Sequence, residues 1–268
     1  MKKTSIEAIP FTLPPEIDKI CCGAKIFDSS CSPEAKVYFI DKDDGYYLKT
    51  ASRGSLKREA QMTDYFHKIG LGARVLNYIS GKDDILLTSA VIGDDCTTKI
   101  YLDDPKRLAE TLAEMLWELH NRDTRDCPIQ DRTGEYLSIA EKNYHLGRYD
   151  KSHFPDSFGY SSPEEAYAVL SSGKGLLKSE VIIHGDFCLP NIMLNGWRPA
   201  GFIDLGASGV GDRHIDLFWG KWTLGFNLDM IGRGDEGKKI GERFLDAYGR
   251  DRINDDAMRV VGAAEVFG

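Results

Sequence analysis

At 268 residues the chain is long for one domain and short for two full ones, so two lobes sharing an interface are expected. Its 42% hydrophobic and 28% charged residues are those of an ordinary globular protein, and a net charge of −8 argues against a large nucleic-acid footprint or a polybasic membrane surface while suiting a polycationic small substrate. The six cysteines show neither C-x-x-C nor zinc-ligand spacing and read as reduced thiols; Glu7, Pro10, Pro14 and Pro15 interrupt the basic N-terminus before any apolar run, and cytoplasmic residence is the expectation.

The first third reads as strands and polar turns: "AKIF", the turn "DSSCSPE", "AKVYFI", the turn "DKDDG" and "YYLKTA". From Ser55 to Ile69 the period becomes helical, with Leu56, Ala60, Tyr65, Phe66 and Ile69 near one face and a "GLG" stop at Gly70 to Gly72. Two further strands, in "ARVLNYI" and "DILLTSAVI", flank "SGKDD" and complete a small antiparallel sheet packed on one helix, an N-terminal lobe over residues 1–93. Pro105 then opens an amphipathic helix capped by Asp103 or Asp104, whose Leu108, Leu112, Met115, Leu116 and Leu119 recur at helical spacing toward a core. Helical stretches around "GEYLSIAEKNY", "SPEEAYAVLSS", "HIDLFWGKWTLGFN", "GKKIGERFLDAYG" and "DAMRVVGAAEVFG" make residues 94–268 a mainly α lobe, with the segment from Val181 to Gly206 as its one β element.

Chemistry concentrates in that segment. A strand in "EVIIH", a loop "GDFCLPN", a strand "IML", a turn at Asn195 and Gly196 and a return strand "GFID" would bring Asp186, Asn191 and Asp204 to one end of a hairpin-like unit. A core does not ask for carboxylates and an amide at the ends of apolar runs; phosphoryl transfer does. In the kinase arrangement an aspartate orients the acceptor hydroxyl, an asparagine five residues on holds one metal, and the aspartate of an Asp-x-Gly holds the metals that bridge the phosphates. Asp186, Asn191 and Asp204 stand in that order, with Gly206 completing the Asp-x-Gly. Lys49, closing the strand "YYLKTA", reads as the lysine that meets the α and β phosphates, and Glu59, on the following helix, as its partner. Singly, each is an ordinary turn or surface residue; the joint spacing carries the reading.

These residues resemble the aminoglycoside phosphotransferases, most closely the aminoglycoside 3'-phosphotransferase group within the protein-kinase-like fold. "HGDFCLPNIMLN", "GFIDLG" and "GDRHIDLF" are similar to that group's catalytic and metal-binding motifs, and "SSCSPEAKVY" followed by "YYLKTA" is similar to its nucleotide loop and lysine strand. The resemblance implies an α+β, bilobal protein-kinase-like fold with a small antiparallel N-terminal sheet plus helix and a larger, mainly helical C-terminal lobe carrying a short catalytic β hairpin. It implies Mg²⁺ as cofactor and ATP or GTP as phosphoryl donor. Asp186 would be the catalytic aspartate and touch the acceptor, Asn191 and Asp204 would bind Mg²⁺, and Glu59 would hold Lys49 against the phosphates. Tyr47 would stack on the adenine, the backbone of Ser89 and Val91 would form the hinge bonds, and Ser29 and Ser32 would lie in the loop over the phosphates. His184 and Asp216 would brace the catalytic loop.

For the acceptor, the resemblance points to the C-terminal "AAEVFG", with Glu265 and Phe267 as substrate-binding residues. Ala264 stands where the group commonly has a second acid, Gly268 is an addition, and Ala207 replaces an arginine common directly after the Asp-x-Gly. A second acceptor wall would come from the region Arg148 to Glu165, with Asp150, Asp156, Glu164 and Glu165 beside Arg148, Lys151 and His153. The expected activity is transfer of the γ-phosphoryl of ATP or GTP to a hydroxyl of an aminoglycoside antibiotic, first of all the 3'-hydroxyl, conferring resistance. The alternatives are a kinase of another small hydroxyl compound and a catalytically silent nucleotide-binding protein. The partners expected are nucleotide and small-molecule substrate, without nucleic acid or membrane, on a monomer, a dimer being open.

Overall fold

The computed structural model describes residues 3–150, 154 and 158–268. The chain divides into two compact units, Met1–Cys96 with Pro190–Ala207, and Thr97–Leu189 with Ser208–Gly268. The break expected after residue 93 thus falls after 96, and residues 190–207 return to the first unit.

The first unit is built on a six-stranded antiparallel sheet of order β1-β2-β3-β4-β6-β5, from β1 (Thr4–Ile6), β2 (Lys25–Asp28), β3 (Ala35–Asp41), β4 (Tyr46–Ser52), β5 (Val75–Ser80) and β6 (Asp83–Ser89). Neighbours along a strand point to opposite faces. Leu48 and Leu87, opposite one another in register, enter one core with Ile17 and Cys21 of helix α1 (Pro15–Cys21), whereas Leu86 joins Leu56 and Ala60 at helix α2 (Lys57–Lys68) on the other face. Lys49 lies opposite Leu86 and so shares the face of α2. The elements β1 and α1 were not expected; three residues of strand and a proline-started helix of two turns leave too short a pattern to read.

The remainder of this unit is a three-stranded sheet of β7 (Asp94–Asp95), β9 (Ile192–Asn195) and β10 (Arg198–Phe202), order β10-β9-β7, with Gly196 at φ +60° in the hairpin turn. Phe202 donates its N–H to the Leu71 carbonyl (2.8 Å) and packs edge-on against Phe66 of α2, which is why the hairpin groups with the first unit.

The second unit is mainly helical: α3 (Lys99–Leu102), α4 (Pro105–His120), α5 (Arg132–Leu146), α6 (Pro163–Gly173), α7 (Arg213–Met230), α8 (Gly234–Tyr248) and α9 (Asp255–Glu265). Of the two candidate caps of α4, Asp104 is the one whose carboxylate accepts the Arg107 N–H. A two-stranded sheet pairs β8 (Val181–Ile183) with β11 (Gly209–Gly211). This corrects the expected single hairpin-like unit: β8 pairs with β11, not with β9, so Asp186 follows a strand of the second unit while Asn191 precedes β9 and Asp204 follows β10 in the first. Among the described residues, no helix is long and apolar enough to cross a membrane.

Candidate functional site

In the first unit a cavity of about 730 Å³ opens against the sheet face that carries α2. Ser29, Ser32, Tyr47, Lys49, Glu59, Ser89, Val91, Asn191 and Asp204 all line it, with Val37, Ala73, Leu86 and Phe202 as apolar floor. Apolar walls with a few convergent polar groups suit a planar base carrying a charged tail. Tyr47 is half-buried with its ring 5.1 Å from that of Phe39.

At the polar end the Lys49 ammonium donates to both Glu59 oxygens (3.0 and 2.8 Å) and to Asp204 Oδ1 (2.9 Å). Burial works against the ammonium, but the charges of Glu59 and then Asp204 outweigh it and hold the Lys49 pKa above its ordinary value, so the lysine is a fixed cation. Burial, assisted by the Asp204 charge, raises the Glu59 carboxyl against the pull of Lys49. Asp204 sits at φ +57°, in the left-handed region that aspartate tolerates better than most residues, with its side chain 53% exposed. The Asn191 carbonyl accepts the Ile203 N–H (3.0 Å), bringing the two ends of the β9–β10 hairpin together.

The loop between β2 and β3 is held by side chains that sequence reasoning passed over. Asp28 Oδ1 accepts the Ser30 N–H (2.8 Å), the Ser30 hydroxyl accepts the Val37 N–H (3.0 Å), and the Ser29 N–H reaches the Val37 carbonyl (2.8 Å). The Asp-Ser-Ser run was the available signal, since these residues close turns on their own backbone. Ser29 is buried and Ser32 exposed at the rim.

A metal held here would have an amide and a carboxylate, both hard oxygen donors, on one cavity wall. Among the described residues, no cluster of three or more His, Cys, Asp or Glu could hold an ion by itself. This donor set fits Mg²⁺, which keeps several waters and takes further ligands from phosphate.

The second unit holds Asp186. Buried Asp216, on α7, accepts the His184 N–H (2.8 Å) and the Gly185 N–H (2.7 Å) with its two oxygens and also faces His120 Nε2 (3.2 Å). Gly185 is at φ +82°, a turn a side chain would resist, and Asp186 donates its N–H to His184 Nδ1 (3.2 Å). His184 and Asp216 therefore shape the loop backbone, as a brace rather than a base.

Asp186 lines a cavity of about 220 Å³ together with Glu265, Arg132, Tyr136, Trp219 and Gly268. Glu265 Oε1 accepts from the Tyr136 hydroxyl (2.8 Å) and the Trp219 indole N–H (3.0 Å). These partners stand 129 and 46 residues away in sequence, and no local pattern could have announced them. Phe267, expected to touch substrate, is instead fully buried, its ring edge-on to Tyr144 and Tyr149 and its carbonyl accepting from Asn143. The terminal turn of the chain points it into the core, so its part is packing. Of the second acceptor wall, Lys151, His153 and Asp156 lie outside the described residues. Glu165 is committed to α6, accepting the Ser161 N–H.

Burial pushes the Glu265 carboxyl up to about 7, against the hydrogen bonds of Tyr136 and Trp219 and with the charge of Asp186 adding to the rise. The folded state thus holds this proton more tightly than the unfolded chain. Stability attributable to the group falls as pH rises from about 4.5 to about 7, a loss of up to about 3 kcal/mol that is complete above pH 7. Glu265→Gln keeps an acceptor for both donors without the charge. Its Tm is expected to exceed that of the unaltered protein by about 5 °C at pH 8, with the gap closing below about pH 5, read by thermal scans at both values.

Comparison with known proteins gives the family and the fold. A family model described as the phosphotransferase enzyme family matches residues 27–261. A protein of Lactococcus lactis subsp. lactis (strain IL1403), named "Probable aminoglycoside 3'-phosphotransferase", is 49% identical over 91% of this chain and 91% of its own. Among solved structures, an aminoglycoside-3'-phosphotransferase of type VIII aligns with a TM-score of 0.75 at 23% identity, over 92% of this chain and 94% of that one. An aminoglycoside phosphotransferase from Streptomyces rimosus ATCC10970, solved with ADP and streptomycin, aligns with a TM-score of 0.72 at 23% identity, over 94% and 95%. The fold is the kinase-like fold of these phosphotransferases. The chain belongs to the phosphotransferase enzyme family and is an enzyme of that class.

Proposed function

We propose that the protein transfers the γ-phosphoryl of ATP or GTP to a hydroxyl of an aminoglycoside, the 3'-hydroxyl first, and so confers resistance in the cytoplasm. The observation that carries the reading is Lys49, fixed between Glu59 and Asp204 inside a cavity whose floor suits a nucleotide base. Lys49 neutralises phosphate charge, Tyr47 stacks on the base, and the backbone of Ser89 and Val91 meets its edge. Ser29 and Ser32 bring the β2–β3 loop over the phosphates. Mg²⁺, held by Asn191 and Asp204, would neutralise the charge spread over the transferring group.

Asp186 orients the acceptor hydroxyl, and Glu265 meets an acceptor ammonium, which draws the raised carboxyl into its ionised form. The name of the Lactococcus relative supports the acceptor class and the 3' position, and the ADP and streptomycin of the Streptomyces rimosus complex support a nucleotide and an aminoglycoside as the two ligands.

The test is nucleoside diphosphate release with Mg²⁺ and ATP or GTP over kanamycin, neomycin, streptomycin, spectinomycin and hygromycin, with the product mapped by NMR. Kanamycin- and neomycin-dependent turnover with phosphate on the 3'-oxygen is expected. Nucleotide binding without turnover on any of the five would overturn the acceptor and leave the nucleotide half standing.

A further inference from the structure

The brace behind Asp186 has a second layer. Helices α4, α7 and α8 meet there: His120 is the last residue of α4, Asp216 stands in the first turn of α7 and Tyr248 closes α8, all three buried. His120 Nε2 lies 3.2 Å from Asp216 Oδ2 and its Nδ1 lies 2.7 Å from the Tyr248 hydroxyl, whose oxygen has Arg213 Nη1 at 3.5 Å.

The direction of every bond in this row follows from what each group can donate. A carboxylate that takes the N–H of both His184 and Gly185 accepts from the imidazole as well, so the His120 proton sits on Nε2. Burial keeps the imidazole neutral against the pull of Asp216, which makes Nδ1 an acceptor. The Tyr248 hydroxyl, kept protonated by burial, therefore donates to it, and Arg213 donates to the hydroxyl oxygen. One polarity runs from Arg213 through Tyr248, His120 and Asp216 to the backbone at His184 and Gly185, directly before Asp186.

Apolar side chains would fill a three-helix junction without the cost of burying polar groups, so what the polar set adds is direction. Asp216 decides which nitrogen carries the proton; Tyr248 decides where the ring points. With the hydroxyl removed, Nδ1 loses its donor and the imidazole can turn its Nε2–H away from Asp216.

We infer that Tyr248 is a positioning residue for Asp186: through His120 it holds Asp216 against the His184 and Gly185 N–H groups, and so sets the loop geometry that aims the Asp186 carboxylate. The inference rests on the reading of Asp186 as the group that orients the acceptor hydroxyl. Among the described residues that wall the two cavities Tyr248 has no place, so its effect falls on the rate and not on ligand affinity.

The experiment uses the whole chain with kanamycin and ATP. Tyr248→Phe keeps the ring and deletes only the hydroxyl, whereas His120→Gln offers Asp216 an amide N–H and Tyr248 an amide oxygen. Tyr248→Phe is expected to lower kcat about tenfold, the scale of one buried hydrogen bond, with the KM of ATP and of kanamycin little changed, and His120→Gln to lose less. Rates are taken at a temperature where circular dichroism shows each protein fully folded. In ¹H–¹⁵N NMR spectra the amide protons of His184 and Gly185 should move upfield in Tyr248→Phe, as their bonds to Asp216 lengthen, and move less in His120→Gln. A side chain that only packs would lower Tm and leave these resonances in place. Unchanged kcat or unmoved amide resonances in Tyr248→Phe overturn the inference, and kanamycin turnover by the unaltered protein then leaves the acceptor reading standing. A loss in His120→Gln as large as in Tyr248→Phe overturns it too, since ring volume and not bonding would then matter. If the unaltered protein turns over no acceptor, the acceptor reading falls and the amide resonances alone decide whether Tyr248 sets the loop.

Discussion

Asp204→Asn is expected to lower kcat by about 10³-fold or more, the scale lost when a charge-stabilising group is removed from a phosphoryl-transfer site. Asparagine is the informative replacement because position 204 lies at φ +57°. Asparagine tolerates the left-handed region as aspartate does, so the backbone turn and the hairpin behind it are kept. The change removes one negative charge from a side chain that is more than half exposed, and Lys49 retains both Glu59 oxygens. Tm should therefore move by no more than about 2 °C. The nucleotide KM should rise far less than kcat falls, since the apolar floor and Tyr47 are untouched. Retention of more than a tenth of kcat, at saturating Mg²⁺, would remove Asp204 from the proposed metal site.

How much of this was legible in the sequence depends on the distance over which the physics acts. The pairing of Lys49 with Glu59 could be read because a strand followed by one helix leaves few geometries, and Leu86 and Leu87 facing opposite ways fix which one is used. Seven of the nine residues expected at the nucleotide and metal positions come from the stretch between β2 and the turn after β6, where connections are local; Asn191 and Asp204 reach the same cavity only through the β9–β10 hairpin, Asp204 lying 155 residues beyond Lys49. The pairing of β8 with β11 was not legible. Gly209–Gly211 has a single side chain beyond glycine, hence no alternation to follow, and its partner lies across the whole β9–β10 hairpin. Glu265 was legible as an acid at the chain end, but not its capture by Tyr136 and Trp219, nor the burial that raises its pKa to about 7 against those two hydrogen bonds. Phe267 was misread because an aromatic near a terminus gives no sign of which way the last turn aims it.

Asp186→Asn is the second change of large expected effect, and its size discriminates between two roles. The loop that carries Asp186 takes its shape from groups other than the Asp186 carboxylate: Asp216 accepts the N–H of His184 and Gly185, and His184 accepts the N–H of Asp186 itself. Asparagine at 186 should leave that frame, the cavity beside Glu265 and the KM for both substrates nearly intact. What it removes is the negative oxygen proposed to meet the acceptor hydroxyl. General-base assistance contributes about 10²–10⁴-fold in kcat. In a loose transition state the hydroxyl proton is still largely in place when the bond to the leaving oxygen has lengthened, and the carboxylate acts by alignment. A fall near 10², with an unchanged pH profile, is then expected from rapid-quench measurement of a single turnover. A fall near 10⁴ accompanied by recovery of rate at high pH, where hydroxide takes over the proton, would instead make Asp186 the base. Because the loop is braced from α7 rather than by residue 186, the comparison reads chemistry and not collapse of the site.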